Sequence, residues 1–351
     1  MVSIRLRFLL ASLLVGCGAT TGDEGSPAAP TVPTSSRPTA SVDLPEAVDA
    51  LAQSGPFVYA VTAVQIDAER STIHRIEKSS LRVEPLIEVP GRAAQVRWLA
   101  ADADGIYWLN LGADSTGIWR ADKDGGGAVQ LVGGASADPR WFAGEATLDG
   151  DRIVYVEGAT SGITHTRVRS ISKTGGPATD VPSVPGTGLV TDDAFIYSCA
   201  SDGIYRTSKS GGRAERIGAP PCAQLQRDGT QLSWLFNPSI IADVGGGAVA
   251  LASPTGLYAL PVTGGVASKL ASGNFWAFAS NTGEQFTIDY GASAFTATVL
   301  SPRRTMVTVT FGGSTDGLPS GSIVADEERV FWSEPRHEIG GWRGSVRSIA
   351  R

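Results

Sequence analysis

The apolar positions of this chain fall in short runs, rich in β-branched and aromatic residues and cut off by Gly or Asp. The clearest unit lies between Ala101 and Gly133. Asp104-Gly105 marks a turn, Ile106-Tyr107-Trp108-Leu109 a strand, and Ile118-Trp119-Arg120-Ala121 a second strand. Asp124-Gly125-Gly126 makes a tight turn before a third strand, Val129-Gln130-Leu131-Val132. Gly and Asp suit the positive φ of hairpin turns, and runs this short with period-two character predict antiparallel strands. No stretch carries the 3.6-residue apolar period of a packed helix. Asp43 to Leu51 reads equally as a short helix or as strand.

The unit recurs. Lys123-Asp124-Gly125-Gly126 aligns with Lys173-Thr174-Gly175-Gly176, Lys209-Ser210-Gly211-Gly212 and Val262-Thr263-Gly264-Gly265, with Lys78-Ser79-Ser80 as a degenerate copy. Before each turn stands a strand of the type Ile73-His74-Arg75-Ile76. Before that stands an aromatic strand, centred near residues 59, 107, 155, 197, 233, 286 and 331. An interval of about 45 residues with four strands per unit predicts an all-β propeller, whose blades bury their faces against two neighbours. Seven blades are counted. Residues 237–248 of the fifth unit leave six or eight open. The innermost strand of each blade precedes the aromatic one, as in Gln95-Val96-Arg97-Trp98-Leu99. The last unit stops after its third strand, Val346-Arg347-Ser348-Ile349. An open ring would leave an unpaired edge, so a strand from within Ser41 to Leu51 is predicted to complete that blade.

The order aromatic strand, loop, Ile-x-Arg-x-x-Lys, Gly-Gly resembles the TolB-like and related uncharacterised propeller repeats of exported bacterial proteins. The resemblance covers nearly all of Leu51 to Arg351 and implies architecture more than activity.

The N-terminus supplies an address. Arg5 and Arg7, an apolar run from Phe8 to Val15 and then Leu14-Val15-Gly16-Cys17 describe a secretory leader too short to span a bilayer. Its ending resembles a bacterial lipobox. That resemblance implies cleavage before Cys17, lipidation of Cys17 and a lipid-anchored protein of the cell envelope, with Gly18 favouring the outer membrane. The domain plan is therefore a signal peptide over 1–16, a Ser/Thr/Pro/Ala-rich tether over 17–42 with too little apolar surface to fold, and a propeller over 43–351. The formal charge is −6 at pH 7. No basic stripe exists, so nucleic acid is excluded as a partner, and the membrane is reached only through the lipid on Cys17. Cys199 and Cys222, the remaining cysteines of an exported domain, are expected to pair. A monomer is expected.

Catalytic signals are weak. His74, His165 and His337 lack metal-ligand spacing, so no metal and no cofactor is predicted. There is no Gly-x-Ser-x-Gly elbow and no phosphate loop. Asp104, Asp149, Asp228 and Asp326 recur once per unit, which suits turn capping better than catalysis. Arg75, Arg120, Arg169 and Arg206 recur likewise and read as outward positions of half-exposed strands. Recognition is expected where the repeats vary, on the loops at 65–71, 237–247 and 334–343. The candidate binding residues are Arg97, Trp98, Arg140 and Trp141 at inner-strand starts, and Arg336, His337 and Trp342 on the last loop, since Arg and Trp favour interfaces. Packing between blades is the alternative role for Trp98, Trp141 and Trp276. The function expected is non-enzymatic binding or scaffolding of a protein or glycan, with an envelope hydrolase or lyase using channel-mouth carboxylates as the rival.

Overall fold

The computed structural model describes residues 39–63, 71–90, 95–111, 115–133, 142–157, 167–200, 202–220, 222, 224–236, 256–273, 275–291, 294–300, 306–312, 322–338 and 341–350. These residues form seven antiparallel four-stranded sheets. β1 (Thr39–Leu44) is the first described strand but belongs to the last sheet. Blade 1 follows with β2 (Ala47–Ser54), β3 (Phe57–Ala63), β4 (Ser71–Glu77) and β5 (Val83–Val89). Blade 2 holds β6 (Gln95–Ala101), β7 (Ile106–Leu111), β8 (Gly117–Ala121) and β9 (Val129–Gly133). Blade 3 holds β10 (Phe142–Asp149), β11 (Arg152–Glu157), β12 (Arg167–Ser172) and β13 (Thr179–Val181). Blade 4 holds β14 (Thr187–Thr191), β15 (Phe195–Ala200), β16 (Gly203–Ser208) and β17 (Glu215–Gly218). Blade 5 holds β18 (Gln224–Asp228), β19 (Gln231–Phe236), β20 (Gly256–Pro261) and β21 (Ser268–Ser272). Blade 6 holds β22 (Phe275–Asn281), β23 (Glu284–Gly291), β24 (Ala294–Leu300) and β25 (Met306–Gly312). Blade 7 holds β26 (Ile323–Ala325), β27 (Arg329–Glu338) and β28 (Gly341–Ala350), completed by β1.

First strands of successive blades touch all the way round, from β2 to β6 and onward until β26 meets β2 again. That closed circuit makes the chain a β-propeller with its first strands around the central channel. The core is the stack of blade–blade interfaces. Tyr59 and Ile73 of blade 1 share a buried cluster with Leu99 and Trp108 of blade 2, and Tyr107 of blade 2 shares one with Tyr155 of blade 3. A strand covered on both faces needs apolar residues on both. This explains why the second strands read as unbroken runs with a fully buried aromatic at their centre.

Ring closure follows the predicted principle with shifted bounds. β1 pairs antiparallel with β28 from Thr39 opposite Ile349 to Leu44 opposite Gly344. Residues 47–51 instead start the inner strand of blade 1. The stretch Asp43 to Leu51 is thus two strand segments around Pro45-Glu46, with no helix. Thr39–Val42 belong to the propeller, where the sequence placed the end of a tether. Leu44 is 2% exposed and packs with Val48, Val58, Phe331 and Val346, so it ties blade 7 to blade 1.

A second correction concerns residues 334–343. Their described part, 334–338 and 341–343, is not a loop: β27 and β28 run on in register, with Arg336 opposite Arg343, His337 opposite Trp342 and Glu338 opposite Gly341. Pro335 and the glycines suggest a strand break, yet Pro335 sits opposite Gly344 within the ladder. β26 reaches only Trp332 on one side and β1 only Gly344 on the other. The hairpin therefore extends beyond the four-stranded part of its blade.

Candidate functional site

The two ends of the ring are built differently. At one end lie the turns between first and second strands and those between third and fourth strands. The Gly-Gly turns share one geometry. The N–H groups of Gly125, Gly175, Gly211 and Gly264 donate to Asp122, Ser172, Ser208 and Pro261 carbonyls at 2.9–3.0 Å, with φ of +83° to +97° at those glycines. Such φ values exclude most L side chains, which is why glycine recurs there.

Each such turn is clasped to the preceding blade. Lys173 pairs with Asp102, Lys209 with Asp149, and Lys78 with Asp326 at 2.5 Å. Arg75, Arg120 and Arg206 donate forward to the Lys123, Lys173 and Val262 carbonyls at 3.0, 3.5 and 3.2 Å. The same arginines meet carboxylates of their own blade, as Arg206 meets Glu215 at 2.6 Å. The recurring charges of this end are thus spent on holding blades together.

The turn-capping acid of blade 2 is Asp102, two residues before the expected Asp104. Asp102 Oδ1 accepts from the N–H groups of Asp104 and Gly105 at 2.8 and 3.2 Å. Asp192 and Asp326 cap equivalent turns in the same way. Burial opposes ionisation of Asp326, but the Lys78 hydrogen bond and the N–H groups of Arg329 and Glu328 outweigh it and hold its carboxyl below the usual range. Burial also pushes the Tyr107 and Tyr155 hydroxyls up to about 12, so neither offers a phenolate at neutral pH. A cavity of about 950 Å³ opens at this end between blades 7 and 1. Its walls include the Lys78–Asp326 pair and Arg329, which donates to Ser348.

The other end carries the starts of the inner strands and the mouth of the channel. Among the described residues, five of the seven inner strands break register against their second strands here. The break falls at Asp49 in β2, at Arg97 in β6, at residues 143–145 in β10, at 188–189 in β14 and at Trp276 in β22. A bulge places an extra residue on one strand and re-aims its side chain. Asp49 is half-buried, and burial raises its carboxyl above the usual range while the neighbouring Arg97 charge pulls it back. Arg97 is exposed. Glu145 accepts a hydrogen bond from the Gly188 N–H of the next blade. Consecutive blades 1, 2 and 3 thus contribute a carboxyl, a guanidinium and a carboxylate to one arc of the mouth.

Of the residues singled out from the sequence, Arg97 stands on this arc. Trp98, its neighbour, is half-buried and packs on the cluster shared by blades 2 and 3, the bland alternative for that residue. Arg336, His337 and Trp342 occupy the extended blade 7 hairpin. Cys199 and Cys222 form a disulfide with Cα atoms 5.3 Å apart, tying β15 to the connection that leads into blade 5. Cys17, Arg140, Trp141 and His165, with most of the loop at 65–71 and all of that at 237–247, lie outside the described residues. His74 is buried at 6% exposure with its Nε2 3.1 Å from Thr62 Oγ1, and burial lowers its pKa. Among the described residues no three His, Cys, Asp or Glu side chains gather as a metal site. Asp49 and Glu145 were missed from sequence. The available signal is distance: Asp49, Arg97, Glu145 and Trp276 each stand ten residues ahead of Tyr59, Tyr107, Tyr155 and Phe286.

No protein-family model matches the chain, and no curated protein matches it. Solved structures share its fold at low identity. An acylaminoacyl peptidase from Pyrococcus horikoshii is 10% identical with a TM-score of 0.54, over 82% of this chain and 49% of its own. This chain thus spans about half of that peptidase. The AfRom2 CNH domain is 11% identical with a TM-score of 0.51, over 88% of this chain and 99% of its own. A putative TolB from Agrobacterium tumefaciens is 14% identical with a TM-score of 0.47, over 66% of this chain and 82% of its own. At these identities the likeness concerns the propeller fold alone.

Proposed function

We propose that this propeller is a lipid-anchored, non-enzymatic binding or scaffold protein of the bacterial cell envelope. It is held through Cys17, with the outer membrane favoured, and engages a protein or glycan from the end that carries the channel mouth. The observation that carries this reading is the contrast between the two ends. At the turn end, recurring Lys, Asp and Arg side chains are consumed by blade-to-blade clasps. At the mouth, the equivalent bulge position changes chemistry from blade to blade, and variation on a fixed scaffold marks recognition. The Leu14-Val15-Gly16-Cys17 ending supports the anchor.

Two experiments test it. Metabolic labelling with a radioactive fatty acid should mark the wild type and not Cys17→Ser, which should leave the membrane fraction; an unlabelled wild type removes the anchor. A photo-crosslinker replacing Gln224, exposed at the start of β18, should capture an envelope partner, while one replacing Ser79 at the clasped end should not. Equal capture from both ends overturns the choice of face. The rival reading, a hydrolase or lyase, is favoured by Asp49 and Glu145 standing on one arc of the mouth. It requires product formation that Glu145→Gln abolishes.

A further inference from the structure

We propose that the channel mouth is a saccharide-binding site built from the bulge residues Asp49, Arg97 and Glu145. The assignment presupposes that the propeller is a binding module and names the class of its ligand.

In a ring of repeats, whatever the fold requires recurs. The buried aromatic, the third-strand arginine, the clasp lysine and the Gly-Gly turn all recur. The bulge position behaves differently. In blades 1, 2, 3 and 6 the register break takes in the position ten residues ahead of the aromatic, where the residue passes through Asp49, Arg97, Glu145 and Trp276; the break spans 143–145 in blade 3, and in blade 4 it falls nearer the aromatic, at 188–189. Arg97 acts on Asp49 between blades 2 and 1, and Glu145 holds the Gly188 N–H of blade 4, yet no one residue type recurs at this position as one does at the clasps, and a bulge kept through such changes presents side chains. Inner strands β2, β6 and β10 are neighbours in the ring, so the three charged residues form one arc.

The arc alternates acceptor, donor, acceptor. Arg97 is exposed, its charge acts on Asp49, and Glu145 is positioned by the Gly188 N–H of blade 4. Two carboxyl groups around one guanidinium suit neither a polyanion nor a polycation. Among the described residues the large exposed apolar side chains, Val129, Val266 and Leu270, lie on the outer hairpins of blades 2 and 5. A neutral polyhydroxyl ligand fits: its hydroxyls donate to carboxylates and accept from a guanidinium.

The test uses the full chain in detergent micelles on an array of neutral, amino and acidic oligosaccharides, followed by calorimetric titration with the best-retained one. Wild type should be retained. Arg97→Gln and Glu145→Gln should each weaken binding tenfold or more at unchanged melting temperature, while Arg216→Gln on an outer strand should leave it unchanged. Gln at 145 keeps an acceptor for Gly188, and Arg97 is exposed, so loss of fold does not decide the outcome. A blank array, or equal binding by both mouth variants, overturns the proposal. If the array is blank while the crosslinker at position 224 captures an envelope protein, the saccharide falls and the binding-module reading stands; if both are blank, both fall. Release of shortened saccharides would make the site catalytic and overturn non-enzymatic binding.

Discussion

The clasp between Asp102 and Lys173 permits a quantitative test of how the blades hold together. Lys173 has 9% of its side chain exposed and Asp102 has 23%, so this pair sits between the surface and the interior. The Lys173 ammonium also lies 5.5 Å from the Tyr107 ring centre. Asp102→Asn keeps an oxygen for the Asp104 and Gly105 N–H groups and removes only the charge. It strands a largely buried ammonium, at a cost of about 3 kcal/mol, the low end for a broken buried pair. Lys173→Met keeps most of the aliphatic stem and leaves Asp102 partial access to water, at about 1.5 kcal/mol. The double variant has no stranded charge and should cost about 2 kcal/mol, which gives a coupling of about 2.5 kcal/mol. Urea unfolding followed by tryptophan fluorescence, in a Cys17→Ser background, measures all four proteins. The outer pair Arg216–Asp202, 3.9 Å apart and about half exposed on both sides, is the control and should couple by less than about 0.5 kcal/mol. A coupling at Asp102–Lys173 as small as the control would refute the claim that clasps secure the ring.

Three other outcomes follow from the same geometry. Replacing Cys199 and Cys222 by Ser opens a link across 23 residues, which chain entropy values at about 3.4 kcal/mol, so the urea midpoint should fall accordingly; an unchanged midpoint contradicts a formed bridge. Leu44→Ala should cost about 3 kcal/mol and raise aggregation, because it loosens the closing strand from a cluster in which Leu44 is 2% exposed; light scattering and melting equal to wild type would argue against closure by β1. Burial lowers the pKa of His74, so the folded state disfavours its protonated form. Its contribution is complete above the unfolded value near 6.5 and is lost as pH falls through the lower folded value. His74→Gln should flatten the decline of stability below about pH 6.5, and an unaltered slope would show that another group titrates there.

The architecture was legible because blade stacking imposes a strict rule on the second strands. Covered on both sides, they must carry apolar runs with an aromatic such as Tyr59 or Tyr155, and that rule recurs at a measurable interval. Gly175 and Gly211 were legible for a related reason, since φ near +90° admits little else. The acid of the first turn was misplaced because capping acts at a distance. Asp102 binds the N–H groups two and three residues on, and in a turn holding both Asp102 and Asp104 composition does not say which one caps. The blade 7 hairpin was misread for the opposite reason: Pro335, Gly340 and Gly341 look like breakers, while the cross-strand register continues past Pro335 to Glu338.

The mouth was hardest to see because a bulge leaves no residue signature. One extra residue in a strand is visible only as a fixed distance to something that is itself fixed. Tyr59, Tyr107 and Tyr155 provide that reference, and measured from them Asp49, Arg97 and Glu145 occupy one position in three blades. A repeat therefore offers an internal comparison that a single unrepeated domain lacks. Positions where the copies agree report what stacking requires, as Lys78, Lys173 and Lys209 do through their partners in the preceding blades. Positions where the backbone agrees and the side chains do not report demands that stacking does not make. In this propeller the two kinds separate by end: agreement at the clasped turns, divergence at the channel mouth. If the mouth were only another structural joint, its bulges would carry one residue type, as the turns do. Blades 1, 2, 3 and 6 carry an acid, a base, an acid and an indole there, and blade 4 carries Gly188 and Leu189, a diversity that the recognition proposed for the mouth accounts for and a shared structural joint does not.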